Sequence, residues 1–167
     1  MSALTAAADR YGSQREPGRP RPDAPRDTVP GQHTPPRRVV AGVDGSPNSV
    51  AALRRAVAQA GLRHAELEVV CVIAEDAGAH MAASALTMLR DTLAVVSPDG
   101  VGVPARLRVE RGEPALALLA VCGDAELLVI GARANSRHGN MFGGRTVPRC
   151  LDYAHCQVDV CADHGEP

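Results

Sequence analysis

The chain has 167 residues and a formal net charge of −1, and 45% of its residues are hydrophobic, which suits one domain of ordinary size. None of its 18 basic residues is a lysine, so a Schiff-base lysine and a P-loop lysine are excluded. The near-neutral charge and the scarcity of aromatic residues (one Phe, two Tyr, no Trp) argue against a nucleic-acid or membrane-surface partner.

Cysteine content and apolar run length indicate the compartment. No apolar run reaches the roughly 18 residues of a spanning helix, and residues 1–10 lack the basic cluster of a secretory signal. The number of cysteines is odd, and some lie in predicted strands, which favours reduced thiols. We therefore expect a cytoplasmic protein.

Residues 1–36 differ in composition from the rest of the chain. More than half of the 13 prolines lie there, with few apolar residues after Tyr11. Such a segment cannot bury enough surface to offset its ordering entropy, so we predict a disordered tail. Its weakly basic character could alternatively serve to contact an acidic partner. We expect one folded domain at 37–162 and a frayed C-terminus at 163–167.

Alternating strand and helix patterns fill the predicted domain. Strands are predicted from continuous or alternating apolar residues, and helices from apolar residues spaced by three and four. The predicted strands are 38–43, 67–73, 103–109, 127–130 and 157–162. The predicted helices are one that follows the turn at 44–49 and closes at Gly61, one at 79–96, one between Pro114 and Gly123 with Leu116 and Leu119 on its apolar face, and one at 146–153.

This alternation predicts an α/β fold, a three-layer sandwich. Its centre would be a five-stranded, mainly parallel, doubly wound (Rossmann-like) sheet with about four helices. Ligands of such sheets bind at the carboxyl ends of the strands, where the strand order reverses. Asp44 follows the first strand and Gly131 the fourth, so we expect these residues to face each other across that crevice.

The stretch from Leu127 to Pro148 carries the candidate ligand site. Four apolar residues are followed by a break at Gly131, a polar loop, a glycine pair ending at Gly144, and the helix-start residues Thr146 and Pro148. A strand, a glycine-bearing loop and a new helix start place backbone N–H groups where they can bind an anion.

Three segments of the predicted domain resemble the universal stress protein family. They are VVAGVDGSPNS at 39–49, LLVIG at 127–131 and HCQV at 155–158, and the resemblance covers about residues 37–162. It implies a stress-response sensor or regulator that binds ATP or another adenine nucleotide. It also implies a homodimer formed through the last strand. No catalytic base is evident, so we predict no enzyme, with slow hydrolysis at most.

Nucleotide-binding members of the family carry Gly-x-x-Gly, nine further residues, and then Gly followed by Ser or Thr. Here Gly131 matches the first position, Ala134 replaces the second glycine, and Gly144 matches the third. Arg145 replaces the small hydroxyl residue, and it could either fill the phosphate site or bind phosphate through its guanidinium. Thr146 could supply the missing hydroxyl if the helix begins one residue late.

The resemblance also implies contacts outside this loop motif. Asp44 would accept hydrogen bonds from the ribose hydroxyls, although it could instead cap the turn before Gly45. The main chain of Val72 would lie beside the adenine. The implied nucleotide-binding residues are Gly42, Asp44, Val72, Ile130, Gly131, Arg133, Ala134, Gly144, Arg145, Thr146 and Val147.

Two other functions are weighed against nucleotide binding. Ala134 and Arg145 favour a dimeric scaffold or interaction module of the same fold that does not bind ATP. An enzyme from a related nucleotide-handling α/β family is the third hypothesis.

Asp159, within the last predicted strand, could oppose edge-to-edge pairing or could lie at the solvent-facing rim of a dimer.

For most of the remaining reactive side chains, we favour a structural or solvent-exposed role over a chemical one. Cys71 is predicted to be an inert core thiol, and Cys150 a more accessible thiol that could be redox-active. The pair at 137–138, Arg-His, is interpreted as a solvated loop tip, with a phosphate contact as the alternative. The four candidate metal ligands are His155, Cys156, Cys161 and His164. No metal site is predicted, because the length of a strand separates Cys156 and Cys161 too widely for one ion to bind both.

Overall fold

The computed structural model of the protein describes residues 36–135 and 140–162, and for 133–135 and 140–143 it describes the backbone. Most of the predicted tail, the predicted frayed C-terminus and the Arg-His pair at 137–138 lie outside these residues. None of the described helices is both long enough and apolar enough to cross a membrane.

Strands and helices alternate along the described residues, as the sequence predicts. The strands are β1 (Arg38–Gly42), β2 (Glu66–Ile73), β3 (Ala105–Arg111), β4 (Leu127–Asn135), β5 (Asn140–Gly143) and β6 (Gln157–Ala162). The helices are α1 (Pro47–Arg63), α2 (Ala79–Val96), α3 (Pro114–Val121) and α4 (Thr146–Tyr153).

Five parallel strands form the central sheet in the order β3-β2-β1-β4-β6. In the register of β1, Ala41 lies opposite Val69 of β2 and Val129 of β4. The chain winds outward from β1 in one direction and then continues on the other side from β4. The predicted doubly wound α/β fold with four helices is therefore confirmed, and the strand order reverses between β1 and β4.

The hydrophobic core lies in two layers, one on each face of the sheet. Alternate residues of β1 supply both: Val39 and Ala41 pack in the layer that includes Leu53 of α1, and Val40 packs in the layer that includes Leu118 of α3. The central strands are largely apolar because helices cover both faces, and the buried Glu68 of β2 is an exception.

Helix α1 differs from its prediction at both ends. It begins at Pro47 because Ser46 caps it, accepting a hydrogen bond from the Ser49 N–H, and because proline is tolerated in a first turn. The prediction that Gly61 closes this helix was wrong. The helix continues to Arg63, and His64 ends it in the left-handed conformation, with φ of 50°.

Two further predictions were wrong in detail. Strand β3 begins at Ala105, two residues after the predicted start. The apolar face of α3 was placed on Leu116, which is 59% exposed, whereas the buried side of this helix carries Ala115, Leu118 and Val121. An apolar helix without polar residues gives no periodic signal by which its buried face could be identified.

Strand β4 is longer than predicted. Its backbone does not break at Gly131 but continues to Asn135 and pairs antiparallel with β5, with Arg133 opposite Gly143. Gly131 and Ala132 still pair with β6 in the parallel sheet. Hydrogen bonding to two neighbouring strands overrides the low strand propensity of glycine and of polar residues in this segment.

Candidate functional site

A cavity of about 610 Å³ opens at the carboxyl ends of β1 and β4, where the strand order reverses. Its walls come from the ends of three strands, the start of α1, helix α3 and the turn between β5 and α4. Eight of the eleven residues predicted from the resemblance line this cavity. They are Gly42, Asp44, Val72, Ile130, Gly131, Gly144, Thr146 and Val147.

The other three predicted residues are placed differently. Arg145 is exposed at the N-cap of α4 and does not line the cavity. Arg133 and Ala134 belong to the part of β4 that runs alongside β5, and their side chains are outside the described residues. Contact between any of the eleven residues and a ligand stays a prediction.

Five lining residues were not predicted: Val43, Ser49, Val70, Pro114 and Leu118. Val43 and Val70 carry no signal beyond burial in a strand. Pro114 and Leu118 are four residues apart on α3 and therefore share one face of that helix. A correct assignment of the buried face of α3 would have identified Leu118, whereas Pro114 is exposed at the start of the helix.

Gly131 is fixed by the close approach of α1 to β4. A Cβ atom at this position would lie 2.5 Å from the carbonyl carbon of Asn48 and 2.7 Å from the nitrogen of Ser49. The Asn48 side-chain amide also donates a hydrogen bond to the carbonyl oxygen of Ala132. The sequence interpretation assigned this glycine to phosphate approach, and the structure adds a packing requirement: α1 can dock only against a residue without a side chain.

Gly144 is required by backbone conformation and not by lack of space. Its φ is +98°, which side-chain-bearing residues rarely adopt, and among the described residues, apart from its chain neighbours, no atom lies within 4 Å of the place that a Cβ would take. It precedes Arg145, the N-cap of α4, which makes no capping hydrogen bond with its side chain. Helix α4 begins at Thr146, as predicted, and the first N–H groups of the helix border the cavity without a side-chain cap.

Asp44 combines a turn-capping role with a place in the cavity wall. Its carboxylate oxygen Oδ1 accepts a hydrogen bond from the Ser46 N–H at 2.9 Å, which is the turn-capping alternative identified from the sequence. Its own N–H donates to Oγ of Ser49, whose hydroxyl donates to the carbonyl oxygen of Ser46 at 2.8 Å. The ribose role of Asp44 stays a prediction.

Glu113 and Arg149 connect the two helices on one side of the cavity. Glu113 caps α3, and its Oε2 accepts hydrogen bonds from the Leu116 N–H and the Arg149 guanidinium, both at 3.1 Å. Partial desolvation acts to raise the pKa of Glu113, but the hydrogen bonds from Leu116, Ala115 and Arg149 outweigh it and lower that pKa. The pair therefore joins α3 to α4 beside the lining residue Pro114.

The cysteine predictions have different outcomes. Cys71 is buried as predicted, and burial, with a smaller effect from Asp44, raises its pKa. The prediction that Cys150 is accessible was wrong, because it lies on the face of α4 that packs into the core. Burial, together with Glu113 and Cys156, raises the pKa of Cys150 to about 11, so the thiol is protonated at neutral pH.

The candidate metal ligands can be compared with the described structure. Across residues 36–135 and 140–162, no group of three or more His, Cys, Asp or Glu side chains could hold a metal ion, and His164 lies beyond them.

Asp159 accepts a hydrogen bond at 2.8 Å from Nε of Arg55, which connects β6 to α1. Neither sequence interpretation of Asp159 included this partner.

The fold and the cavity define a class of protein: a single parallel α/β domain with a small-molecule-sized cavity at the reversal of its strand order. The model of the Universal stress protein family matches residues 36–161. The chain therefore belongs to the universal stress protein family, as the sequence resemblance indicates. No curated protein sequence is significantly similar to it.

Solved structures of universal stress proteins share this fold. UspA from Lactobacillus plantarum has a TM-score of 0.64 at 23% identity, over 75% of this chain and 97% of that one. A universal stress protein in complex with cAMP has a TM-score of 0.61 at 24% identity, over 75% and 96%. The universal stress protein from Archaeoglobus fulgidus in complex with dAMP has a TM-score of 0.61 at 20% identity, over 75% and 96%.

Proposed function

We propose that this protein binds an adenine nucleotide in the cavity at the ends of β1 and β4, and acts as a sensor or regulator and not as an enzyme. The observation that carries the proposal is the convergence of eight predicted nucleotide-binding residues on this one cavity. Its volume, about 610 Å³, is within the range of roughly 300–1,000 Å³ found for small-molecule sites.

The cavity offers different surroundings to the parts of a nucleotide. Val70, Val72, Leu118 and Ile130 provide apolar walls suited to a planar base. The carboxylate of Asp44 at the wall can accept hydrogen bonds from ribose hydroxyls. This arrangement favours a ligand with an apolar flat end and a polar middle.

The start of α4 would receive the phosphates. Thr146 and Val147 line the cavity with N–H groups at a helix N-terminus that has no side-chain cap, and this end of a helix attracts anions. Arg145 is exposed and outside the lining, so its side chain does not occupy the cavity. This placement argues against obstruction, and a phosphate contact by Arg145 stays a prediction.

The structural relatives support an adenine nucleotide in particular. Two universal stress proteins with the same fold were determined with cAMP and dAMP. Both ligands combine an adenine base with a single phosphate group. A ligand of that size matches an apolar pocket that ends at one helix start.

Ligand-induced stabilisation gives a direct test with a matched control. Val72 is half-buried in the cavity wall at the margin of the core, so the larger side chain of Val72→Phe should fill the base site. We expect ATP, AMP and cAMP at millimolar concentration to raise the Tm of the wild type and of Val95→Phe, a change at an exposed position on α2. Equal shifts in Val72→Phe would contradict binding at this cavity.

A homodimer through β6 is the second proposal, and it would also serve the alternative function of a scaffold. Among the described strands, β6 pairs only with β4 and so lies at an edge of the sheet. The charge of Asp159 is paired with Arg55 of the same chain, which removes one obstacle to strand pairing. Light scattering during gel filtration should give twice the monomer mass, and a monomeric mass would contradict the dimer.

A further inference from the structure

An arginine and a glutamate connect the two helices that form one side of the cavity. Nη1 of Arg149, on α4, lies 3.1 Å from Oε2 of Glu113, the residue that caps α3. Both residues are next to lining residues: Pro114 directly follows Glu113, and Val147 is two residues before Arg149. The pair therefore lies beside the cavity, between its α3 wall and its α4 wall.

The side chain of Arg149 is placed to reach the start of α4. Side chains of a helix lean toward its N-terminus, so the side chain of Arg149 extends toward the turn that begins at Thr146. Thr146 and Val147 line the cavity at that turn. The Arg149 side chain is 36% exposed, so core packing does not hold it in a single rotamer.

The two partners do not depend on each other equally. Oε2 of Glu113 also accepts a hydrogen bond from the Leu116 N–H at 3.1 Å, and a helix start favours negative charge, so Glu113 keeps a partner without Arg149. Arg149 is a cation at the fourth residue of α4, where the helix dipole disfavours positive charge. A phosphate bound at this helix start would remove that disadvantage.

We propose that Arg149 is a phosphate-binding residue of the nucleotide site, and that it leaves Glu113 for the phosphate when a nucleotide binds. Glu113 then competes with the ligand for Arg149 and limits the affinity for phosphate-bearing nucleotides. The inference rests on the proposed nucleotide binding and adds two residues that lie outside the family motif. A guanidinium can donate two parallel hydrogen bonds to phosphate oxygens, which favours this exchange of partners.

Single substitutions of the two partners should change AMP affinity in opposite directions. Arg149→Gln removes the phosphate contact, so we expect AMP to bind about fivefold more weakly. Glu113→Gln releases Arg149, so we expect AMP to bind about threefold more tightly, although loss of the ion pair and of the charged cap should lower the Tm. Adenosine has no phosphate, and its affinity should stay within about twofold of the wild-type value in both variants.

Two further variants separate the exchange of partners from a general effect of charge. Glu75→Gln removes a carboxylate close to Glu113, since Oε2 of Glu75 lies 3.1 Å from the place that a Cβ on Gly112 would take, and it leaves the Glu113–Arg149 pair intact. AMP affinity raised by Glu75→Gln as much as by Glu113→Gln would overturn the proposal. The double variant Glu113→Gln/Arg149→Gln should bind AMP as weakly as Arg149→Gln, because Glu113 acts through Arg149.

Calorimetric titration of the full chain with AMP and with adenosine measures these affinities. Weaker AMP binding in both single variants would mean that the pair only holds α3 and α4 in place, and it would overturn the exchange. Unchanged AMP affinity in Arg149→Gln would overturn the assignment of Arg149 and leave nucleotide binding itself intact. A wild-type chain that binds neither AMP nor adenosine would contradict the proposed function and, with it, this inference.

Discussion

Gly131 of β4 and Asn48 of α1 lie so close that a Cβ atom on the glycine would be 2.5 Å from the Asn48 carbonyl carbon. Real Cβ atoms do not approach backbone atoms to this distance, and the backbone of α1 cannot yield without moving the whole helix start. The same two elements form part of the cavity wall, through Gly131 and Ser49. The geometry of the candidate site therefore depends on this glycine.

Gly131→Ala should destabilise the fold strongly. We expect a loss of about 3 kcal/mol or more in the free energy of unfolding, because overpacking against backbone cannot be relieved by a rotamer change. Urea denaturation would measure it. Gly61→Ala is the control, since it lies inside α1 and, apart from its chain neighbours and the backbone of its own helix, no atom of the described residues lies within 4 Å of its Cβ position; alanine there should stabilise by about 0.5–1 kcal/mol. An unchanged urea midpoint for Gly131→Ala would contradict the packing.

Asp44→Asn should separate the two roles of Asp44. The asparagine oxygen can still accept the hydrogen bond from the Ser46 N–H, so the free energy of unfolding should change by less than about 0.5 kcal/mol. Loss of the charge-assisted bonds to ribose should weaken nucleotide binding about tenfold. Calorimetric affinities for AMP would measure this effect, and unchanged affinity would show that Asp44 serves the turn alone.

Arg145→Ser tests the residue that replaces the small hydroxyl of the family motif. We expect about threefold to tenfold weaker binding of ATP, with adenosine affinity unchanged, because an exposed guanidinium would contribute a modest phosphate contact. Arg90→Ser, a change of an exposed arginine on α2, is the matched control. Tighter ATP binding in Arg145→Ser would mean that Arg145 obstructs the site.

The pairing of Glu113 with Arg149 and the start of α3 should make stability depend on pH. The pKa of Glu113 is lowered in the folded chain, although desolvation opposes this change. The stabilisation that ionised Glu113 gives to the folded chain is therefore complete above the unfolded pKa of about 4.3, and it is lost as the pH falls through the folded pKa. Stability from this group decreases toward acid pH and not toward alkaline pH.

Comparison of the wild type with Glu113→Gln should show this loss. The urea midpoint of the wild type should exceed that of the variant by a constant amount above about pH 6, and the difference should disappear toward about pH 3. Asp99→Asn, on an exposed turn, controls for removal of a carboxylate. A difference that does not change over this range would rule out the titration of Glu113 as its source.

The elements that the sequence predicts well are those whose signal is local. The bounds of α2, α4 and β6 agree with prediction to the residue, because apolar spacing and flanking turn residues define them. The extension of β4 along β5 could not be predicted in this way, because it depends on pairing between segments that are separate in sequence. Glu68 shows the same limit: it lies buried in an apolar strand, and its partners Arg38 and Arg108 come from neighbouring strands.

The candidate site was predictable where a residue type is dictated by the backbone or by the end of a strand. Gly144 and Asp44 fall in this group. Leu118 was missed because α3 is apolar on every side, and the docking of α1 on Gly131 was missed because it joins residues far apart in sequence. The family resemblance supplied the ligand class, which neither spacing nor composition contains.

Calorimetric titration of the full chain with ATP, and with GTP for comparison, tests the central claim most directly. Binding at the cavity should give a saturable heat with one nucleotide per chain and a Kd below about 1 mM for ATP, with weaker binding of GTP. Val72→Phe should abolish this heat, and Val95→Phe should keep it. No heat from any adenine nucleotide at millimolar concentration would contradict the account and would favour the scaffold function.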